Sequence, residues 1–480
     1  MASLKQQAYK GVFWTVLEKI SDRGLQFIVG IILARILSPA EFGLVGMVIV
    51  FIAISVVFVD SGFGIALINK KQTTKEEESS VFWLNLVISV IFFIVLYFTA
   101  PYIAIFYKEP ILKNITRVLG INLIIQAFGA IHLNLLTKKL DFRTQFKLTF
   151  TSKLVSGGVG IFAALSGYGV WALVIQRLVQ AAWGSVWLWI YHNWRPDFKF
   201  SFAAIKPLWR YGSNVLFARL TTTFFDNIYS LVIGKGFSAN ALGFYRRAIN
   251  FQNMPLSLLT TTIGKISFPL YSNVKDEKAK FVHMMGKSLV LMSFASFPIF
   301  AAMMIMAEPL VILLIKDKWL PAVPYLRWLC VVGMLSPWHL MNVQSIVAYG
   351  RSDLNFRLSL LKNTLRLINL IVMMQYSVLH IVIGEVVVSF LALFINTYYT
   401  YKLFNYGLVK QINNIKKIIF STVIISLVTI IPALFPDLNT LTAFLLHLSF
   451  FLVTYFITAM IFNRDIVFEI KEQLGKINEF

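Results

Sequence analysis

Apolar positions run along this chain in blocks of about twenty residues, the length that carries an α-helix across the hydrocarbon core of a bilayer. The blocks parse into fourteen spans, at about 11–36, 42–68, 81–107, 114–136, 148–166, 169–192, 208–234, 242–270, 283–306, 321–349, 356–376, 379–401, 418–435 and 441–462. Strands of a membrane barrel would be half as long and would alternate apolar with polar positions, and the blocks show no such alternation. The pattern predicts an all-α polytopic membrane protein.

The first block is also the least comfortable one. Residues 10–36 are long enough to cross, yet Glu18, Lys19, Asp22 and Arg23 fall near the middle. A charge at bilayer depth costs roughly 2.5–3.5 kcal/mol on insertion scales. Four of them in two turns predict a face turned to protein, to each other or to a water-filled cavity. The pattern partly recurs in the second half. LSPAEFGLV (37–45) matches FSANALGFY (237–245) at an offset of 200, with Ser38 on Ser238 and Gly43 on Gly243. The same offset puts Lys19 on Arg219. Steps of three and four return to one side of a helix. One face of the first helix therefore holds Lys19, Asp22, Arg23 and Gln26, and the matching face holds Arg219, Thr222, Thr223 and Asp226.

This repeat predicts two pseudo-symmetric six-helix bundles in parallel orientation, 1–200 and 201–410, with 411–480 an appended helix pair and tail. Parallel repeats of this kind are related by an axis along the membrane normal, place substrate near the midplane between them, and rock to give alternating access.

Composition agrees with the class: 58% of the 480 residues are hydrophobic, 14% are charged and the mean hydropathy is +0.73, unlike a soluble domain. The net charge of +22 would point to nucleic acid in a soluble chain. Here its distribution gives another reading. The loops 1–10, 69–80, 137–147, 192–206, 271–282, 351–357, 402–417 and the tail from Asn463 carry 24 Lys and Arg, against 5 in the intervening set. Cytoplasmic loops are the basic ones, so both termini are expected in the cytoplasm and no nucleic acid is expected as a partner. The surplus can also serve anionic head groups or an anionic substrate. Residues 1–10 are polar and the first block is a full span, so no cleavable signal peptide is expected. The single cysteine, Cys330, excludes an intramolecular disulfide.

Three segments bring a family resemblance. ILSPAEFGLVGMV (36–48), VDSGFGIALINK (59–70) and ALGFYRRAINFQNMPLSLLTTTIGKISFPLYSNVKDE (241–277) resemble the polysaccharide-flippase branch of the multidrug/oligosaccharidyl-lipid/polysaccharide (MOP) exporter superfamily, above all colanic-acid and O-antigen (Wzx-type) exporters. AYGRSDLNFRL (348–358) resembles the turn before a late helix in the same family. The resemblance implies two six-helix bundles in a V around a central cavity plus two C-terminal helices. It also implies a flippase that moves an undecaprenyl-pyrophosphate-linked oligosaccharide across the bacterial cytoplasmic (inner) membrane, without a cofactor. Membrane lipids, a polysaccharide polymerase and a chain-length regulator are the partners it implies.

A pyrophosphate needs cations in a wet cavity, where arginine forks fit phosphate oxygens and lysine acts as a point charge. Arg23 and Arg219 are the first candidates, then Lys19, with Arg177, Lys362 and Arg366 as further intramembrane cations. The competing reading is that these charges pair internally, Lys19 with Asp22 being the obvious local pair. Asp22, Asp226 and Glu385, with His339 also inside a span, are candidates for a coupled proton or sodium ion; Asp60, followed by Gly62 and Gly64, reads as structural. Arg246 and Arg247, at the outer start of the eighth span, could receive phosphate on exit, but the favoured reading is that they snorkel to head groups. Trp14, Trp171, Trp183, Trp187 and Trp338 are read as belt or packing residues before sugar platforms. The alternatives are a drug or metabolite antiporter, which would rely on membrane acids more than on cations, and a peptidoglycan-precursor flippase. A membrane enzyme needs catalytic acids or histidines on large outer loops, and the longest outer loop, 307–320, offers only Glu308 and Asp317.

Overall fold

The computed structural model describes residues 4–60, 62–435 and 438–468, and among them it contains helices and turns and no strand. The helices are α1 (Leu4–Ile36), α2 (Pro39–Asp60), α3 (Phe63–Asn69), α4 (Lys75–Tyr107), α5 (Leu112–Lys138), α6 (Phe142–Leu165), α7 (Val170–Tyr191) and α8 (Phe202–Gly236). They continue with α9 (Ala239–Asn273), α10 (Lys278–Ile305), α11 (Ala307–Ile315), α12 (Val323–Ala348), α13 (Ser352–Met373), α14 (Val378–Phe404), α15 (Leu408–Thr429) and α16 (Thr440–Phe462). Among the described residues nine helices are long and apolar enough to cross a membrane. The long helices outside that set are α1, α7, α8, α9 and α13. These five carry every intramembrane cation singled out in the sequence, so the polar faces are concentrated on a subset of the helices.

Two expectations are corrected. The block 42–68 is not one helix: α2 stops at Asp60 and α3 starts at Phe63, because Gly62 takes a left-handed φ of 71° that ends a right-handed helix. The segment 307–320 is not a loop. It forms α11 and a 3₁₀ turn, Asp317–Ala322, whose Trp319 is fully buried.

Helix starts follow local chemistry. Ser38 accepts from the Glu41 amide while the Glu41 carboxylate takes the Ser38 amide at 2.6 Å, a capping box with Pro39 leading the helix. Ser238, its repeat partner, accepts from the Ala241 amide at 3.1 Å. Thr74 and Glu77 make a second box at the start of α4.

The chain divides into two compact units, Met1–Arg246 and Arg247–Phe480. In the first, α1 packs along α6, α6 on α7, α4 on α5, α5 on α7, and α2 against α4, α5 and α8. The packing of α8 on α2 and α3 draws it into this unit, although the repeat in sequence divides at residue 200. The repeat itself makes a reciprocal contact inside this unit. A Cβ on Gly43 would lie 1.7 Å from the Ala239 carbonyl oxygen, and one on Gly243 would lie 2.0 Å from that of Pro39. The first turns of α2 and α9 thus cross backbone to backbone at equivalent positions, which only glycine allows.

In the second unit α12 packs on α10 and α14, α13 on α14, and α15 on α10 and α16. A buried polar hub ties α15 to this bundle. Gln411 donates to Asn342 Oδ1 at 2.9 Å, Asn342 returns a bond to Gln411 Oε1 at 3.1 Å, Thr400 donates to Asn342 Oδ1 at 3.0 Å, and Trp338 Nε1 donates to Gln411. Trp338 is therefore a packing residue, as read from sequence. At the start of α13, Arg351 grips Asp353 of the first turn through two bonds of 2.8 Å and holds its carboxyl down at about 2.

Candidate functional site

The charges on α1 sort by face. Trp14 meets Phe146, Thr149 donates to Glu18 at 3.4 Å, Lys153 pairs with Asp22 at 2.8 Å, and Val29 presses on Gly157. Both acids therefore turn to α6. The local pair expected between Lys19 and Asp22 is not made, because Lys153 from the neighbouring helix takes Asp22 instead. Lys153 was missed in the sequence although it sits inside an apolar block, which was itself a usable signal. Lys19 and Arg23 are left exposed and make no ion pair with another described residue.

The first unit also contains a polar cleft of about 460 Å³ among α2, α5 and α7. Arg177, Gln180, Gly184 and Ser185 contribute from α7, at spacings that return to one face. Asn122, Gln126 and Asn134 contribute from α5, and Asp60 from the end of α2. Small residues make the room: Ser185 donates to the Ile125 carbonyl at 2.6 Å, and Gly129 sits beside it. Asn122 Oδ1 and Asn134 Nδ2 are buried with no hydrogen-bond partner among the described residues. Such atoms mark places where water or a ligand completes the bonding. Arg177 is exposed to the cleft and makes no ion pair with another described residue.

Two further arginines approach this region. Arg219 on α8 forms an ion pair with Asp60, so the internal pairing weighed at the sequence level is present at this position. Arg246 lays its stem across Gly46, donates to Ser230 at 3.1 Å and comes close enough to Arg177 for their charges to interact. The snorkelling expected of Arg246 is thus corrected, since its guanidinium is directed into the unit. The same holds for Arg247, which is 6% exposed and sits 5.0 Å over the ring of Trp319 in the second unit. A glycine one turn along a facing helix was the sequence signal for an inward arginine at 246.

In the second unit Lys362 and Arg366 lie one turn apart on α13, and Arg366 reaches Glu385 on α14 at 3.3 Å. His339 on α12 lies within electrostatic range of both cations and bonds Ser389 and Asn396 at 3.0 and 3.1 Å. Lys362 makes no ion pair with another described residue. Asp226 is exposed on α8. Of the sequence candidates, then, Lys19, Arg23, Arg177, Arg219, Asp22 and Asp226 lie in the first unit, and Lys362, Arg366 and Glu385 in the second.

Comparison with known proteins gives this arrangement a setting. A family model described as "Polysaccharide biosynthesis protein" matches residues 32–324. The teichuronic acid biosynthesis protein TuaB of Bacillus subtilis (strain 168) is 28% identical over 358 residues, 74% of each chain. The lipopolysaccharide biosynthesis protein WzxC of Escherichia coli (strain K12) is 24% identical over 369 residues, 76% of this chain and 74% of its own. Among solved structures, the lipid II flippase MurJ superimposes with a TM-score of 0.79 at 14% identity, over 95% of this chain and all of that one. At that identity the likeness speaks for the fold.

Proposed function

The chain belongs to the polysaccharide biosynthesis protein family, and on that premise we propose that it is a flippase for an undecaprenyl-pyrophosphate-linked oligosaccharide. It carries the lipid-linked glycan from the inner to the outer leaflet by alternating access, supplying surface polysaccharide such as O-antigen, capsule or exopolysaccharide. In this reading the protein sits in the cytoplasmic membrane with both termini inside, and its two repeat halves, 1–200 and 201–410, open and close around the substrate. A polymerase and a chain-length regulator receive the product.

The observation that carries the reading is the polar cleft around Arg177, a cation without a carboxylate partner among the described residues, walled by amide side chains. A pyrophosphate brings two negative charges and oxygens that a guanidinium fork grips. Amides such as Asn122, Gln126 and Gln180 suit bridging water and sugar hydroxyls. Of the sequence candidates, Lys19, Arg23 and Lys362 likewise make no ion pair with another described residue, and they serve as further stations for the phosphates. Arg219 and Arg366 join them by exchanging Asp60 and Glu385 for phosphate. A drug-cation antiporter would not leave unpaired cations facing its cleft. Asp22 and Glu385 already hold Lys153 and Arg366, so a coupled proton or sodium ion has to compete with a resident side chain.

Deleting the gene tests the proposal. Lipid-linked glycan should accumulate on the inner leaflet, surface polysaccharide should disappear, and the wild-type gene should restore both. Accumulation of a peptidoglycan precursor instead would move the protein to that substrate, and unchanged surface glycan would overturn the flippase reading.

A further inference from the structure

The junction of α14 and α15 in the second unit holds a groove lined by none of the cations assigned above to the pyrophosphate. Phe394, Tyr398 and Tyr401 stand on one stripe of α14, at steps of four and three. With Gly407, Val409 and Lys410 at the start of α15 they form an apolar groove of about 440 Å³, within the size range of small-ligand sites. Its apolar walls are open: Phe394 is 55% exposed, Tyr398 and Tyr401 are each 58% exposed, and Val409 is 81% exposed. One end is basic. Lys410 lines it, and its ammonium is held by the Asn405 carbonyl at 2.8 Å, which leaves two N–H donors. The segment 402–417 adds Lys402, Lys416 and Lys417 and contains no acid. Gly407, which precedes the first turn of α15, has no side chain to accept from its amides.

We propose that this groove seats one acyl chain of an anionic glycerophospholipid, with the head-group phosphate against Lys410. The charge pattern selects the occupant. A zwitterionic lipid would gain from the apolar stripe alone, whereas an anionic one also meets Lys410, which makes no ion pair with another described residue, although Lys417 further along lies 4.0 Å from the Asp465 carboxylate. Tyrosine hydroxyls at the rim suit the head-group level. The site would tie the appended helix pair to the lipid composition of the leaflet on the side of the basic loops, and it is separate from the residues assigned to the transported head group.

The test uses the full chain in proteoliposomes containing phosphatidylglycerol with a photoactivatable acyl chain, followed by peptide mapping. The result expected is labelling of 394–410 that falls about fivefold in Lys410→Gln, the loss of roughly one lysine's attraction to an anionic surface, and at least as far in Val409→Glu, which sets a carboxylate in the apolar groove. Labelling of the exposed α16 residues Leu452 and Phe456 should not change. Both substitutions are at exposed positions, and an unchanged melting temperature shows that the fold is intact. Equal labelling by photoactivatable phosphatidylcholine would reduce the groove to ordinary lipid contact. Displacement by polyprenyl phosphate would assign it to the transported lipid's own chain. Either result, or labelling that neither variant lowers, overturns the proposal.

Discussion

Asn122 and Asn342 are both asparagines inside apolar helices, and they meet opposite fates. Asn342, in the second unit, is fully buried and saturated: its amide donates to the Trp338 carbonyl and to Gln411, and its oxygen accepts from Gln411 and Thr400. Asn122, in the first unit, is 8% exposed, lines the cleft, and leaves Oδ1 without a partner among the described residues. A closed network fixes helices in place, because any member removed strands the others in a medium of low dielectric. An open one costs folding energy and is kept where something else completes it. The contrast teaches that polarity within a membrane helix does not identify a binding residue. What identifies it is whether the neighbouring helices have already used the group.

The largest effect that separates the two regions is on transport. Arg177→Ala removes a charge-assisted bond worth roughly 1.5–3 kcal/mol, so translocation should fall about ten- to a hundredfold while membrane abundance and melting stay as in the wild type. Vesicle flipping assays normalised to protein content measure this. In the hub the effects reverse. Asn342→Ala and Gln411→Leu should each lower stability by about 1–3 kcal/mol through stranded partners, read as earlier unfolding in detergent, with transport per folded molecule retained. Asn122→Leu sharpens the contrast: stability should hold or rise while transport falls. If Asn122→Leu unfolds the protein as Asn342→Ala does, the distinction between open and closed networks fails.

Two smaller predictions probe the frame around the cleft. Thr74→Ala removes the capping box of α4 and should cost about 1 kcal/mol of stability. The Asp60–Arg219 pair is half-exposed on its arginine side, so a double-mutant cycle should return a coupling of at most about 1 kcal/mol. A larger coupling would mean that Arg219 is a fixed strut with no freedom to exchange its partner.

Much of the helix pattern was legible, because length and hydropathy are written directly in the chain. The match of Ser38 with Ser238 was legible too, and in the structure each accepts from an amide at the start of the helix that follows it. The faces were not legible. In water a helix buries its apolar side, but in a bilayer lipid and protein neighbours are equally apolar, so periodicity does not say which side of α1 meets α6. Asp22 therefore appeared to belong to Lys19 when Lys153, 131 residues away, holds it. Arg177 was legible as an intramembrane cation. Its cleft was not, since the facing wall of Asn122, Gln126 and Asn134 comes from α5, some fifty residues earlier in the chain. Arg246 was misread because an arginine near a span end usually snorkels, and only the hollow at Gly46 turns it inward.

The most direct measurement of the central claim is binding of a short-chain polyprenyl pyrophosphate to the purified protein by calorimetry, for wild type, Arg177→Lys and Arg177→Gln. The account predicts binding that weakens with added salt, is reduced but measurable in Arg177→Lys, and is lost in Arg177→Gln, while Asn342→Ala binds as the wild type does once folded. Equal affinity in the wild type and Arg177→Gln would contradict it and remove the cleft from the path of the pyrophosphate.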